Sequence, residues 1–336
     1  MSGTERDNPV LVERLSVPRP EGAENMSHRT SGGTTDSRAT RMIYVPFNAA
    51  GVPNGRAGMP RAIHSAGIEE RLPGIVRSTW IPIDTVVPAR GPAALLAEEA
   101  LTSMVTNTAA ALSDAWRDGE VPLVVAGDCP VLLAALIAAK ARGGGGLVFI
   151  DGHEDAWDPR ASLTGEAADC EIGLALGIFH GPNGLGELPC LRPEHLAILG
   201  PRDQDEIAAA GQAGLRDRVA GYLSGAQLAA RPESHTYTEA ADLVAETAAN
   251  AAAGWWFHID LDVLATASLS AVDYRQPGGL TWKQLERLSA ACSSVPGCLG
   301  ASIVIYNPDL DGGRAAERIA DFIAFIRDRL GSARKD

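Results

Sequence analysis

Short, predominantly apolar runs recur along the chain and constrain its fold more than any other feature. They lie at residues 42–47, 122–126, 147–150, 196–199, 255–259 and 302–305, with Ala- and Leu-rich stretches between most of them. A strand that is apolar on both faces needs cover on both faces, which is typical of a parallel sheet between two layers of helices. The sequence therefore predicts an α/β fold with a mostly parallel sheet.

The stretches between these runs predict helices, and the first segment of the chain predicts none. Residues 1–40 are rich in Ser, Thr, Arg, Glu and Gly and lack apolar periodicity, so we expect a disordered tail. Residues 41–336 are expected to form a single catalytic domain. The predicted helices cover residues 93–116, 131–142, 240–253 and 314–330.

Charge and composition exclude two classes of partner. The chain has 29 Lys and Arg against 42 Asp and Glu, a formal charge of −13, whereas a polyanion needs a basic face. No apolar run reaches the roughly 20 residues that span a bilayer, and the N-terminus lacks the apolar core of a signal peptide. We therefore expect a cytoplasmic protein that binds neither nucleic acid nor membrane. Its five cysteines form no CxxC pair, which argues against a disulfide framework.

Three of the predicted strands run into side chains that can bind metal ions. In a parallel sheet the ligand site lies beyond the carboxyl ends of the strands. Residues i and i+2 project to the same side, so the members of each motif can converge. Carboxylates gathered in one crevice would repel one another without a cation. These candidate ligands are Cys129 after the second run, Asp151, His153 and Asp155 after the third, and Asp260 and Asp262 after the fifth.

The ordered motifs resemble those of the ureohydrolases, the arginase and agmatinase superfamily. The resemblance extends from about residue 42 to the end of the chain. It implies a three-layer fold with roughly eight mostly parallel strands and a pair of Mn²⁺ ions bridged by hydroxide. It also implies hydrolysis of a guanidine-type C–N bond and assembly into a homo-oligomer, a trimer or a hexamer. The motifs that carry it are VAGDC at 125–129, DGHED at 151–155, HIDLD at 258–262, PGGL at 277–280 and YNP at 306–308.

The resemblance also assigns roles to the candidate ligands. Asp151 and Asp260 match the aspartates that bridge the two metal ions in this superfamily. His153 and Asp262 would complete the coordination of one ion. Asp155 and the residue at position 129 would complete the coordination of the other.

Position 129 departs from the superfamily pattern. Ureohydrolases usually have GGDHS where this chain has AGDCP, so a histidine ligand is replaced by Cys129. A thiolate favours Zn²⁺ or Fe²⁺ over Mn²⁺. Cys129 could instead be a buried spectator that leaves one complete metal site. A cysteine at this place also resembles ureohydrolase-like enzymes that act on a hydroxylated guanidine.

Two further departures concern the substrate. Arginases carry a guanidinium-pairing glutamate two positions before the Asn-Pro pair, where this chain has Ile305, and a buried apolar side chain cannot neutralise a cation. Arginases also carry a proton-shuttling His in an SGNxHG segment, and residues 162–171 contain none. Glu166 and Asp169 are the candidates to replace these catalytic functions. Alternatively, Glu166 caps a helix over residues 167–176.

The remaining polar residues near the motifs allow several interpretations. Arg275 is the best candidate for a substrate carboxylate, because its planar fork suits that group, although a solvated loop at 273–275 is an equal alternative. Tyr306 and Asn307 belong to the last motif and are assigned to the substrate by the resemblance. His258 is expected to pack in the core rather than to bind metal.

We conclude from the sequence that the chain is a metal-dependent hydrolase of a C–N bond. Its small-molecule substrate would be a guanidino, hydroxyguanidino or amidino compound, attacked by a metal-bridging hydroxide. Two alternatives stay open: a single-metal amide hydrolase like the deacetylases, and a non-catalytic protein with the ureohydrolase fold.

Overall fold

One eight-stranded sheet forms the centre of the computed structural model, which describes residues 38–83, 87–231 and 237–330. The strands are β1 Thr40–Val45, β2 Val76–Trp80, β3 Val121–Ala126, β4 Gly146–Ile150, β5 Leu196–Leu199, β6 Gly221–Leu223, β7 Trp255–Asp260 and β8 Cys298–Val304. Their order across the sheet is β2-β1-β3-β8-β7-β4-β5-β6, and each of the seven pairings is parallel. The predicted α/β fold with a parallel sheet is therefore confirmed.

Helices flank this sheet and complete the three layers that the resemblance implies. One group contains α3 and α4, which pack on each other, and a second contains α1, α2, α8, α9 and α10. The bounds are α1 Met59–Ser65, α2 Ile68–Arg71, α3 Glu98–Arg117, α4 Val131–Lys140, α5 Glu171–Ala175, α6 Gln204–Ala209, α7 Gly225–Ala229, α8 Thr238–Glu246, α9 Trp282–Ser293 and α10 Ala316–Leu330. No helix of the described segments is long and apolar enough to cross a lipid bilayer.

The strands that carry the metal-ligand motifs lie in the middle of the sheet. Every residue of β3, β4 and β7 is buried, which explains their nearly unbroken apolar sequences. Because all strands are parallel, their carboxyl ends share one edge of the sheet. The loops that follow β3, β4 and β7 therefore lie on the same side of the molecule.

All four predicted helices have different bounds in the structure. The helix predicted over 131–142 ends at Lys140, and the one predicted over 314–330 begins at Ala316. The other two differ by more residues. The helix predicted over 93–116 begins only at Glu98. The Glu98 carboxylate accepts hydrogen bonds from the amides of Ala93 and Leu95, and these bonds hold the residues before Glu98 in a loop. The helix predicted over 240–253 ends at Glu246. At Thr247 the backbone leaves helical geometry (ψ −88°), and residues Ala248–Asn250 form a separate 3₁₀ turn.

The first strand begins earlier than predicted, at Thr40 rather than at residue 42. Thr40 is fully buried, and its hydroxyl accepts a hydrogen bond of 2.7 Å from Arg327 Nε. This contact gives a hydrogen-bond partner to the Thr40 hydroxyl, which the sequence placed in the tail. The disordered tail predicted for residues 1–40 otherwise lies outside the described residues, apart from 38 and 39.

Candidate metal and active site

The three ligand motifs meet at the carboxyl edge of the sheet. The Cys129 thiol, after β3, donates a hydrogen bond of 2.9 Å to Asp260 Oδ2 at the end of β7. The amide of Gly152, after β4, donates one of 3.1 Å to Asp262 Oδ1. These cross-strand contacts bring together the six residues proposed as metal ligands from the sequence.

Backbone turns at the strand ends orient the carboxylates of Asp151 and Asp260. Asp151 Oδ1 accepts a hydrogen bond from the amide of His153 at 2.7 Å, and Asp260 Oδ1 accepts one from the amide of Asp262 at 2.6 Å. Each aspartate thus closes a tight turn at the strand end with one oxygen. The other oxygen of Asp151 has no hydrogen-bond partner among the described residues, and that of Asp260 contacts the Cys129 thiol. Asp155 has a positive φ of 46°, a conformation that costs energy outside glycine and is common at functional sites.

Asp151, His153 and Asp262 form one cluster of potential ligands, with their donor atoms within 4.8 Å of one another. His153 Nδ1 lies 3.0 Å from Asp262 Oδ2 and 3.5 Å from Asp151 Oδ1. Burial and the neighbouring charge of Asp262 raise the pKa of Asp151 to about 7. Burial alone would raise the pKa of Asp262 too, but His153 and Arg202 lower it below its usual value.

Cys129, Asp155 and Glu171 form a second cluster, also with donor atoms within 4.8 Å, and all three are buried. Burial and the negative charge of neighbouring carboxylates raise the pKa of the Cys129 thiol and that of Asp155. Burial likewise raises the pKa of Asp260, which lies between the clusters, and the charges of Asp151 and Asp262 add to the effect. These acidic groups are unstable as anions in this setting unless a cation lies among them.

Several buried polar atoms at this edge have no hydrogen-bond partner among the described residues. They are Asp151 Oδ2, both carboxylate oxygens of Glu171, and His258 Nε2. Buried polar atoms are usually paired, so unpaired ones need an explanation such as an ion. Oxygen, nitrogen and sulfur donors of this kind bind divalent metal ions, so the residues present fit such ions.

His258 is a core residue, as its position in the sequence suggested. Its ring stacks on Phe149 at 5.4 Å, and its Nδ1 lies 2.7 Å from Ser302 Oγ. Burial lowers the pKa of the imidazole to about 3, so the ring is neutral. His258 also belongs to a third group of potential ligands, with Cys129 and Asp151.

A cavity of about 380 Å³ opens over the clusters. Arg275, proposed for a substrate carboxylate, lies on its wall and is exposed to solvent. Ile305 also lines it, at the position where arginases have a carboxylate. Asp169 faces it as well, and its Oδ2 accepts hydrogen bonds of 2.5 Å from the hydroxyls of Ser162 and Thr164. Burial raises the pKa of Asp169, against the effect of these two donors.

Glu166 lies behind this wall, in an ion pair with Arg56. Arg56 Nη2 is 2.5 Å from Glu166 Oε2, and Tyr274 donates a hydrogen bond of 2.9 Å to Glu166 Oε1. Asp128 and Asp273 also pair with Arg56, at 3.4 and 3.2 Å. The alternative that Glu166 caps a helix over 167–176 is wrong, because its side chain makes no cap hydrogen bond. That segment is a 3₁₀ turn, Ala167–Asp169, followed by the short α5.

Tyr306 and Asn307 are buried beside the cavity and are not among its lining residues. Tyr306 donates a hydrogen bond of 2.8 Å to Asp311, and Asn307 Nδ2 donates one of 2.7 Å to Asp273 Oδ1. In this arrangement their contacts support the loops around the cavity.

Three residues of the site were not predicted from the sequence: Glu171, Arg56 and Asp203. Arg56 and Asp203 both line the cavity, from a 3₁₀ turn and from the residue before α6, and no spacing in the sequence relates them to the motifs. Glu171 had one usable signal, a carboxylate at the start of an otherwise apolar segment, EIGLALG.

The fold and the site thus define an α/β protein with a buried, carboxylate-rich candidate metal site at one edge of its sheet, and the comparisons agree with this class. The arginase family model matches residues 39–326, so the chain belongs to the arginase family. The expectation of a hydrolase acting on C–N bonds in non-peptide compounds is confirmed with it.

Individual relatives are distant in sequence. The chain is 26% identical over 226 residues to an N(omega)-hydroxy-L-arginine amidinohydrolase of Streptomyces lavendulae, covering 66% of this chain and 74% of that protein. It is 27% identical over 174 residues to an arginase of Bacillus caldovelox, covering 49% and 58% of the two chains. The crystal structure of arginase from Bacillus caldovelox superposes with a TM-score of 0.70 at 22% identity, over 89% of this chain and 99% of that one.

Proposed function

We propose that the protein hydrolyses a C–N bond of a small guanidino, hydroxyguanidino or amidino compound with the help of two divalent metal ions. One observation carries the proposal. Six potential ligands from three strand ends converge below a single cavity: Cys129, Asp151, His153, Asp155, Asp260 and Asp262.

The ligands divide between two ions in this proposal. Asp151 and Asp260 would be shared by both ions, since Asp151 belongs to two of the ligand groups and Asp260 contacts Cys129. His153 and Asp262 would complete one, and Asp155 and Cys129 the other. Bound ions would supply a water of lowered pKa as the nucleophile. Mn²⁺ is the ion expected for an arginase-family protein, and the sulfur of Cys129 favours Zn²⁺ or Fe²⁺ instead.

The chain's own side chains would bind the substrate and handle the proton. Asp169 faces the cavity with a raised pKa, so it can hold a proton for a departing nitrogen. Glu166 is already paired with Arg56 and would position that wall, and Tyr306 and Asn307 would support it. Arg275 at the exposed wall is suited to a substrate carboxylate.

The replacement of a carboxylate by Ile305 favours a less cationic reacting group than free guanidinium. A hydroxyguanidine is less basic than a guanidine and depends less on a buried counter-charge. The similarity to a hydroxyarginine amidinohydrolase supports the same substrate class.

The test combines metal quantitation with a substrate screen. Purified protein loaded separately with Mn²⁺, Zn²⁺ and Fe²⁺ is offered guanidines, hydroxyguanidines and linear amides, and release of urea, hydroxyurea or ammonia is measured. We expect two equivalents of metal and turnover of a hydroxyguanidine. Asp151→Ala and Asp260→Ala should lose both metal and turnover, whereas the exposed Asp114→Ala should keep both.

Two outcomes would overturn the proposal. One equivalent of Zn²⁺, with activity only on amides, would favour a single-metal amide hydrolase built on Asp151, His153, Asp260 and Asp262. No stoichiometric metal and no turnover would favour a non-catalytic protein. The homo-oligomer implied by the resemblance is a separate proposal, tested by light scattering on the eluted protein.

A further inference from the structure

Glu171 is a buried carboxylate that no hydrogen bond accounts for. It has no solvent-accessible surface, and neither of its oxygens has a hydrogen-bond partner among the described residues. No Arg, Lys or His in those segments forms an ion pair with it either. Removing one carboxylate from water without a partner costs several kcal/mol or more, so such groups are rare unless something binds them.

The surroundings of Glu171 are those of a metal ligand. Its carboxylate lies within 4.8 Å of both Asp155 and the Cys129 sulfur, so three potential ligands enclose one point. Burial raises the pKa of Glu171, and the charges of Asp151 and Asp128 add to the effect. Two carboxylates that face each other in the core need either a shared proton or a cation between them.

We propose that Glu171 is a further ligand of the metal ion on the Cys129 side, in addition to the ligands assigned by the strand-end motifs. This proposal rests on the proposed function, because it assumes that ions bind at this edge. Cys129 donates a hydrogen bond of 2.9 Å to Asp260, and a neutral thiol adds no negative charge beside the ion. Glu171, the first residue of α5, would supply an anionic donor next to Asp155.

The experiment compares the wild type with Glu171→Gln and with Glu120→Gln as a matched control. Glu120 is also buried, but its carboxylate is paired with Arg41 and Arg77. Metal-free full-length protein is titrated with Zn²⁺ and with Mn²⁺ against a chromophoric chelator. Bound metal is counted by elemental analysis after gel filtration.

We expect the wild type and Glu120→Gln to bind two equivalents. Glu171→Gln should keep one ion at unchanged affinity and bind the other about tenfold or more weakly, since even outer partners of metal ligands are worth that much. Glu171→Asp, which keeps the charge on a shorter side chain, should weaken that ion less than Glu171→Gln does. If Glu171→Gln does not fold, this charge-retaining variant supplies the comparison.

Thermal unfolding gives a second readout that does not depend on turnover. The neutral amide removes a buried charge opposite Asp155, so metal-free Glu171→Gln should melt at or above the temperature of the metal-free wild type. Its gain in Tm on adding metal should be smaller.

Two results would overturn the inference, and they differ in whether the proposed function fails as well. If the wild type and Glu171→Gln both bind two ions with equal affinity, Glu171 shares a proton with Asp155, and only this inference fails. If the wild type binds no ion, the proposed function fails with it.

Discussion

At the scale of single residues, Cys129 distinguishes this site most clearly from the GGDHS pattern of ureohydrolases. Cys129 is 1% exposed and belongs to two of the three groups of potential ligands. A soft sulfur donor and a borderline imidazole nitrogen select different ions. The identity of residue 129 should therefore decide which metal the protein prefers.

Replacing Cys129 by His should shift the metal preference toward Mn²⁺. Cys129 is among the residues that line the cavity. We expect the ratio of Mn²⁺ to Zn²⁺ affinity to rise by about tenfold or more. Competition titration against a chelator measures both constants. Cys129→Ser is the control, since it removes the sulfur without adding nitrogen and should weaken Zn²⁺ without strengthening Mn²⁺. An unchanged ratio in both variants would make Cys129 a spectator.

Asp203 should make the stability of the protein depend on pH. Burial raises its pKa to about 6, although His153 and the amide of Glu154 lower it. The folded protein then holds a proton that the unfolded chain releases near pH 4. Its stabilising contribution is complete below about pH 4 and is lost as the pH rises through 6, in total about 3 kcal/mol.

Asp203→Asn should remove this dependence. The amide oxygen can still accept the 3.0 Å hydrogen bond from the amide of Glu154. Urea unfolding of metal-free protein should show equal stability near pH 4 and a more stable variant above pH 6. The exposed Asp205→Asn should follow the wild type. A variant less stable than the wild type at pH 8 would contradict the assignment.

At the scale of elements, the sequence predicted the strands that are buried on both faces and missed the short or exposed ones. The central strands β3, β4 and β7 are continuous apolar runs, and the metal-ligand motifs follow them directly. The edge strand β2 was missed because three of its five residues are exposed. Strand β6 has only three residues and begins with glycine, so it carries no pattern.

The residues of the candidate site also fall into a group that the sequence could predict and a group that it could not. Ligands fixed by a strand end could be found, because parallel strands place their carboxyl ends together. Glu171 and Arg56 come from a short helix and a 3₁₀ turn, Gly55–Gly58, which reach the site only through tertiary packing. No local spacing relates them to the motifs.

Substituting Gly200 should disturb the metal site through the backbone. Gly200 follows β5 with φ +114°, and a Cβ there would lie 2.7 Å from the Asp151 carbonyl oxygen and from a Val263 methyl. Gly200→Ala should cost about 3 kcal/mol of unfolding free energy, from the strained φ and the overlap together. It should also weaken metal binding, because Asp151 must move.

Gly211→Ala is the matched control for this effect. Gly211 has φ +68°, and a Cβ there would meet nothing within 4 Å. Gly211→Ala should lower the free energy of unfolding by about 1 kcal/mol, from the strain of the left-handed backbone alone. Its metal affinity should be unchanged. Urea unfolding and chelator competition measure the two quantities. Equal effects of the two substitutions would show that the contact with Asp151 is unimportant.

At the scale of the whole molecule, the net charge of −13 and the buried carboxylates have separate consequences. Most acidic residues are solvated and cost the fold little. The buried set at the sheet edge, Asp151, Asp155, Glu171, Asp260 and Asp262, is concentrated where repulsion is least screened. Metal ions should therefore contribute to folding as well as to chemistry.

Removing metal should lower the stability of the whole domain. An ion that binds only the folded state adds about 2.7 kcal/mol of unfolding free energy at a concentration 100 times its Kd, so two independent sites add about 5. Urea unfolding of chelator-treated and reloaded protein measures the gain. Asp151→Asn should abolish most of it, because Asp151 belongs to two of the ligand groups, whereas the exposed Asp114→Asn should keep it. A reloaded wild type no more stable than the chelated one would mean that the carboxylates are held by protons, because an ion that binds only the folded state must stabilise it.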